Sequence, residues 1–414
     1  MNIVGLITEY NPFHNGHLHH INLAKKLTNA DYVVVVMSGN FLQRGTPAII
    51  DKYKRTEMAL KCGADLVIEL PSVFATASAE SFALGAVSLL HQMGCINSLC
   101  FGSECGEIKQ LEDIAEILTH EPKEFKQSLK HFLKEGYVFP VARKMALLQY
   151  MKKDFTSQTE LDTILSEPNN ILAIEYIKAI KRLNSPIKPV TIKRIVSGYH
   201  DTQLHDTICS ASAIRSSLKL NGMDCFKNQI PPSVYHILAK EYKITFPIEM
   251  NDFSSLLKYK LLLAQDKPYS EYLDVSEALA NAIRNHLSDF INAESFMELL
   301  KNKQYTLTRI NRSLIHILLN IETDVAKEYA DNGYAQYIRI LGFQKTSHAL
   351  LSTIKKNATI PIISKLANYK KILNPLGILM LEQDIFSTEV YQSVVTHKFN
   401  RPPMNEFKQK LILL

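Results

Sequence analysis

A chain of 414 residues, 46% apolar and 21% charged, is a folded globular protein too long for one ordinary core, so two or three domains are expected. Its formal net charge of +6 neither demands nor excludes a nucleic-acid partner. No basic leader precedes the first apolar run and none of the runs is long enough to cross a bilayer, so no membrane partner and a cytoplasmic location are expected.

The first element is a short apolar strand, Ile3 to Thr8. It runs directly into Glu9-Tyr10-Asn11-Pro12-Phe13-His14-Asn15-Gly16-His17 and then a helix of amphipathic pattern from about His17 to Thr28. A strand ending in His-x-Gly-His at the mouth of a helix suits nucleotide chemistry. The helix start offers unpaired N–H groups and positive dipole to phosphate oxygens. Glycine lets backbone approach without a side chain in the way. Two imidazoles there can stabilise charge developing on an α-phosphate and a departing pyrophosphate. A zinc ion or a plain surface feature also accounts for two histidines three apart, with His19 and His20 close by, although no third ligand follows at a familiar spacing.

Alternation of strand and helix continues. Strand patterns fall at Tyr32 to Ser38, Leu66 to Leu70 and Ser98 to Phe101, with helices at about Lys52 to Cys62 and Ala79 to Met93. The strands are continuous apolar runs, as a parallel sheet buried on both faces requires. Ligands of such sheets bind beyond the carboxyl ends of the strands. Those ends carry His14 and His17, then Ser38 to Gly45 with Arg44, then Pro71-Ser72, then Gly102-Ser103-Glu104. Arg44 and Lys52 are of interest because the topology brings them toward the edge that holds His14. Taken singly, each of these ends is also ordinary turn chemistry.

From about 106 to 160 the period is helical, an insertion on the same domain. Pro168-Asn169-Asn170 opens a further helix through Leu183, Pro189 to Ile195 reads as a strand, and Ser197 to Asp201 as a loop. At Cys209 to Arg215 a helix begins with Ser210 and Ser212 placed to cap it and Arg215 one turn in, a second anion site or a plain capped helix. Beyond about Gly222 to Pro232 helical patterns dominate: Phe253 to Ala264, Val275 to Ile291, Ala293 to Leu300 and Tyr305 to Leu319, with short strand candidates at Ile338 to Leu341 and Ile360 to Ser364. The expected division is therefore 1–222, an α/β domain, and 223–414, a mostly helical one. Cys62, Cys95, Cys100, Cys105, Cys209 and Cys225 fit no zinc spacing and are expected as buried reduced thiols.

Taken together, the string Gly5 to His17, Met37 to Gly45, Gly63 to Pro71, Phe101-Gly102-Ser103-Glu104 and Pro168 to Leu172 resembles the bacterial tRNA(Met) cytidine acetate ligases, built on a Rossmann-like domain of the HIGH-type nucleotidylyltransferases. The resemblance implies an enzyme that joins acetate to ATP, giving acetyl-adenylate and pyrophosphate, and passes the acetyl group to N4 of the wobble cytidine of elongator tRNA(Met). It implies His14 and His17 as catalytic residues. It implies an ATP site of Ile7, Thr8, Glu9, Tyr10, Asn11, Pro12, Phe13, His14, Asn15, Gly16, His17, Leu18, His19 and His20 with Gly102, Asn169, Arg194 and Ile195. Arg44, Ser210, Ser212 and Arg215 are further phosphate contacts, although Ala211-Ser212 departs from the superfamily's Ser-Thr at that place. Magnesium is expected with the triphosphate, with no ligand assigned. The helical second half and its lysines form the expected tRNA platform. Two other readings stay open: a small-molecule adenylyltransferase of the pantetheine-phosphate or nicotinamide-mononucleotide type, and a non-catalytic RNA-binding protein.

Overall fold

The computed structural model describes residues 1–151, 158–194 and 209–414. In chain order its strands are β1 (Ile3–Thr8), β2 (Tyr32–Ser38), the short pair β3 (Phe41–Leu42) and β4 (Thr46–Pro47), β5 (Leu66–Leu70), β6 (Ser98–Ser103), β7 (Lys188–Lys193), β8 (Ile338–Phe343), β9 (Ile362–Ile363) and β10 (Ile412–Leu413). The main sheet runs β10-β8-β5-β2-β1-β6-β7, with β9 beside β8. Five consecutive strands, from β5 to the edge strand β7, are parallel. Val33, Val34, Val35 and Val36 of β2 are all fully buried, the signature of a strand covered on both faces.

Five helices bear on the site: α1 (Asn15–Thr28), α2 (Lys52–Lys61), α3 (Ala79–Gln92), α4 (Pro168–Arg182) and α5 (Ala211–Asn221). One face of the sheet packs with α1, α2 and α5 through residues such as Ile21, Leu60 and Ile214. The opposite face packs with α3 and α4 through Phe82, Leu89, Ile174 and Ile177. Caps fix the helix starts: Asp51 accepts from Tyr53 and Lys54 ahead of α2, and Ser210 accepts from Ala213 at 3.0 Å ahead of α5. Helix α1 begins two residues earlier than its apolar pattern indicates, because His14 is itself the cap.

The α/β class with a mostly helical second half is what the sequence leads one to expect. The expected insertion is four helices, Ile108–His120, Lys123–Lys134, Phe139–Tyr150 and Gln158–Ser166. The sheet, however, crosses the expected division at 222. After the helices of the second half, β8 pairs antiparallel with β5, and β9 and β10 flank β8. Buried charges close this junction. Lys52 Nζ lies 2.7 Å from Glu69 and 2.6 Å from Glu406, while Arg339 on β8 reaches the same two carboxylates at 3.2 and 2.5 Å. Lys52 therefore does not face the ligand edge of the sheet: it is fully buried and spent on this cluster. No helix among the described residues is long and apolar enough to cross a membrane. The six cysteines are all free thiols, three buried and three (Cys95, Cys105, Cys225) half-buried.

Candidate active site

A cavity of about 300 Å³ opens beyond the carboxyl ends of β1, β6 and β7, where the strand-end rule places a ligand. Its polar rim comes from the β1–α1 turn, the loop carrying Arg44, and the first turn of α5.

His14 and His17 form its chemical centre. The Gly16 amide donates to His14 Nδ1 at 3.1 Å, and the His14 amide donates to His17 Nδ1 at 3.2 Å, a reciprocal capping box built from two imidazoles. The rings stack with centroids 3.7 Å apart. Burial, reinforced by Arg194 and Arg215, lowers His14 to about 3; burial and the neighbouring His14 hold His17 well below its ordinary value. Both rings are therefore neutral at pH 7. With each Nδ1 accepting a backbone N–H, the ring proton of each is assigned to Nε2. Two neutral N–H donors stand side by side at the helix start. Burial and Arg194 take His20 to about 4, and its Nε2 is buried with no partner among the described residues.

Charge around the pair favours a polyanion. Among the described lining residues are four cations, Arg44, Lys193, Arg194 and Arg215, against one carboxylate, Glu9. Burial lowers Arg215 to about 10, so it stays cationic at neutral pH. Its guanidinium donates to the Asn11 carbonyl at 2.8 Å and to Ser212 Oγ at 3.1 Å, tying α5 to the β1–α1 turn. Arg194 crosses the end of β6: a Cβ on Gly102 would meet its Cγ at 3.1 Å, so the absent side chain makes room for the arginine. Glu9 accepts the Gln43 amide at 2.9 Å, and the buried Arg55 grips the Glu9 and Ser38 carbonyls at 2.7 and 3.0 Å. Asn169, at the start of α4, donates to Glu104 at 2.5 Å, and the Asn170 amide donates to the same carboxylate at 2.8 Å.

Of the residues expected at an ATP site, Ile7, Thr8, Glu9, Tyr10, Asn11, His14, Gly16, His17, His19, His20, Gly102, Asn169 and Arg194 line this cavity, as do Arg44, Ser210, Ser212 and Arg215. Four of the expected stretch stand behind it. Phe13 and Pro12 are buried beneath the turn, Leu18 packs into the core, and Asn15 turns away to donate to the Asn228 carbonyl at 2.8 Å. A helix start exposes only part of its circumference to one ligand, which a contiguous stretch of sequence does not reveal. Ile195 and the loop Ser197 to Asp201 lie outside the described residues. Gln43, from the expected strand-end stretch Ser38 to Gly45, also lines the cavity, and sequence reasoning misses Thr46, Phe82, Leu172, Tyr176 and Lys193. Their signal is weak, since Phe82, Leu172 and Tyr176 read only as core positions of helices. Among the described residues no three His, Cys, Asp or Glu side chains converge to hold a metal ion.

The sequence model of the HIGH Nucleotidyl Transferase family matches residues 1–406. A tRNA(Met) cytidine acetate ligase of Thermoanaerobacter sp. (strain X514) is 45% identical over 392 residues, covering 94% of this chain and 95% of that protein. Its counterpart in Halothermothrix orenii is 40% identical over 420 residues, 98% of both chains. Among solved structures, apo TmcAL of Thermotoga maritima superposes over 100% of both chains with a TM-score of 0.95 at 33% identity, and the same protein bound with alpha-thio ATP with a TM-score of 0.93.

Proposed function

The chain belongs to the HIGH nucleotidyl transferase family and, within it, to the tRNA(Met) cytidine acetate ligases, and from that membership we propose how its residues carry the reaction. It is an ATP-dependent ligase that joins acetate to ATP and transfers the acetyl group to N4 of the wobble cytidine of elongator tRNA(Met), in the cytoplasm where that tRNA resides. An acetate oxygen attacks the α-phosphorus, the bond to pyrophosphate breaks, and acetyl-adenylate forms. N4 then attacks the acetyl carbon, its proton leaves, and AMP departs.

The observation that carries this assignment of roles is the pair of neutral imidazoles whose Nε2–H groups stand together in a cation-lined cavity at the end of β1. Donors of that kind stabilise charge as it develops on phosphate oxygens, which is where most of the rate acceleration of such transfers originates. His14 and His17 hold the α-phosphate region; Ser210, Ser212, Arg215 and Arg44 receive the β- and γ-phosphates. Gly102 and Arg194, with Ile195, border the adenosine. Asn169 reaches it from the start of α4. When magnesium is bound with the triphosphate it would supply charge neutralisation beside these residues. Glu9 is the one carboxylate among the described lining residues, and one of its oxygens already serves Gln43. The residues present would thus offer magnesium little direct ligation, and the triphosphate itself would have to hold it. The helical second half, with its lysines, is the platform for tRNA phosphates.

Incubating the protein with ATP, labelled acetate and bulk tRNA is expected to yield acetylcytidine and AMP. If neither appeared while a phosphopantetheine or mononucleotide acceptor was adenylated, the ligase reading would give way to a small-molecule adenylyltransferase.

A further inference from the structure

The cavity is not polar all round. Phe82 on α3, with Leu172 and Tyr176 on α4, supplies an apolar wall facing away from the α1 and α5 side. Phe82 and Tyr176 are 3% and 6% exposed, and Tyr176 rests against Phe101 with ring centroids 5.7 Å apart, so the wall is backed by core and does not yield easily. Helix α3 packs on β2 and β5, and α4 on β6. The seam between them therefore opens over the end of β1, which lies between β2 and β6. Gln43 fixes this corner: its amide donates to Glu9, and its side chain donates to the Ala77 carbonyl, just ahead of α3, at 3.3 Å. Glu9 is close enough to add to the upward push that burial gives the Tyr176 phenol.

In-line displacement at phosphorus brings the nucleophile in opposite the leaving group. With pyrophosphate departing toward Ser212 and Arg215, the acid must enter from the α3–α4 side. Acetate offers a carboxylate to the phosphorus and one methyl group to whatever lies behind it. We propose that Phe82, Leu172 and Tyr176 form the acyl pocket that receives this methyl and excludes longer carboxylic acids. The inference rests on the ligase reading above and adds to it the residues that set acid specificity.

The test compares acetate with propionate, following AMP release and acylcytidine in the presence of ATP and tRNA. One methylene in an apolar pocket changes kcat/KM about 10- to 200-fold. Wild type is expected to favour acetate. Leu172→Ala and Phe82→Leu are expected to raise the propionate-to-acetate ratio of kcat/KM at least about tenfold, with KM for ATP unchanged. Leu172 is only half-buried, so its variant decides the matter even where the Phe82 change unfolds the protein. A Leu172→Phe variant is expected to bind ATP but to lose its use of acetate. An unchanged acid ratio would overturn the pocket, and a raised KM for ATP beside it would mark the wall as a seat for a base. Wild type that makes no acetyl product would overturn the ligase reading itself, a result distinct from an active enzyme whose preference does not move.

Discussion

Two buried polar clusters serve the same sheet in different ways. One is His14 and His17 at the mouth of α1; the other is Lys52, Glu69, Arg339 and Glu406 where β8 closes onto β5. Both are desolvated, and the solutions differ. The histidines shed charge, since burial takes His14 to about 3, and keep donors in reserve. The second cluster keeps its charges and spends them on each other: burial works to raise Glu406, but Lys52 and Arg339 hold it down at about 2. Groups that remain uncommitted can act on a ligand, whereas groups paired with one another hold two parts of the chain together.

The sharpest way to break this contrast is to substitute one member of each. His14→Asn keeps an acceptor at the helix cap, and asparagine is a good cap, so the melting temperature is expected to stay close to that of wild type. The Nε2–H donor is lost, and adenylate formation is expected to fall about 100- to 1,000-fold, the usual consequence of removing one preorganised donor. Single-turnover measurement of AMP release separates the two effects. A folded variant that turned over normally would remove His14 from the chemistry.

The matching substitution at the junction is Glu406→Gln. It leaves Lys52 and Arg339 sharing one carboxylate in a site whose side chains are 0–4% exposed. Breaking a buried pair in this way costs about 3–5 kcal/mol. Denaturant unfolding is the measurement, and a loss of that size with kcat retained by the folded fraction is expected. A fall in kcat without a fall in stability would mean that the junction serves the chemistry and not the closure.

The two clusters also differ in how legible they are in the sequence. His14, Gly16 and His17 sit within four residues of one another, at a strand end, so local spacing and the strand-to-helix context are enough. The closing cluster joins Lys52 to Arg339 and Glu406 across more than half the chain, and no periodicity in the sequence signals such a pairing. For the same reason the expected division at 222 falls where helical pattern begins, while the strand Ile338–Phe343 returns to the first sheet. Gly102 stands out in the sequence as a site residue, but its reason, room for Arg194 from the end of β7, depends on the pairing of β6 with β7. The apolar wall escapes altogether, because Phe82 and Tyr176 carry the same helical spacing as the core residues beside them.

The smallest expected effect is a flat line, and it bears directly on the contrast. His14 at about 3 and His20 at about 4 lie below the ordinary 6.5, and His17 is displaced in the same direction. The unfolded chain therefore takes up protons first as pH falls, so the stability tied to these rings is complete above pH 6.5 and is lost between there and about 3. For Glu406, depressed from 4.5 to about 2, the stability is present above 4.5 and is lost only on further acidification. Acid should accordingly weaken the histidine site before it weakens the junction. Activity follows a different course, because kcat/KM reports ionisations of the free enzyme and its substrates. Between about pH 8 and about pH 5 the rings of His14, His17 and His20 stay neutral in the folded protein, so kcat/KM for ATP should show no inflection near 6.5 that His14→Asn removes. An inflection lost in that variant would show that His14 acts as a cation, and the division between uncommitted neutral donors and committed charges would fail at its first member.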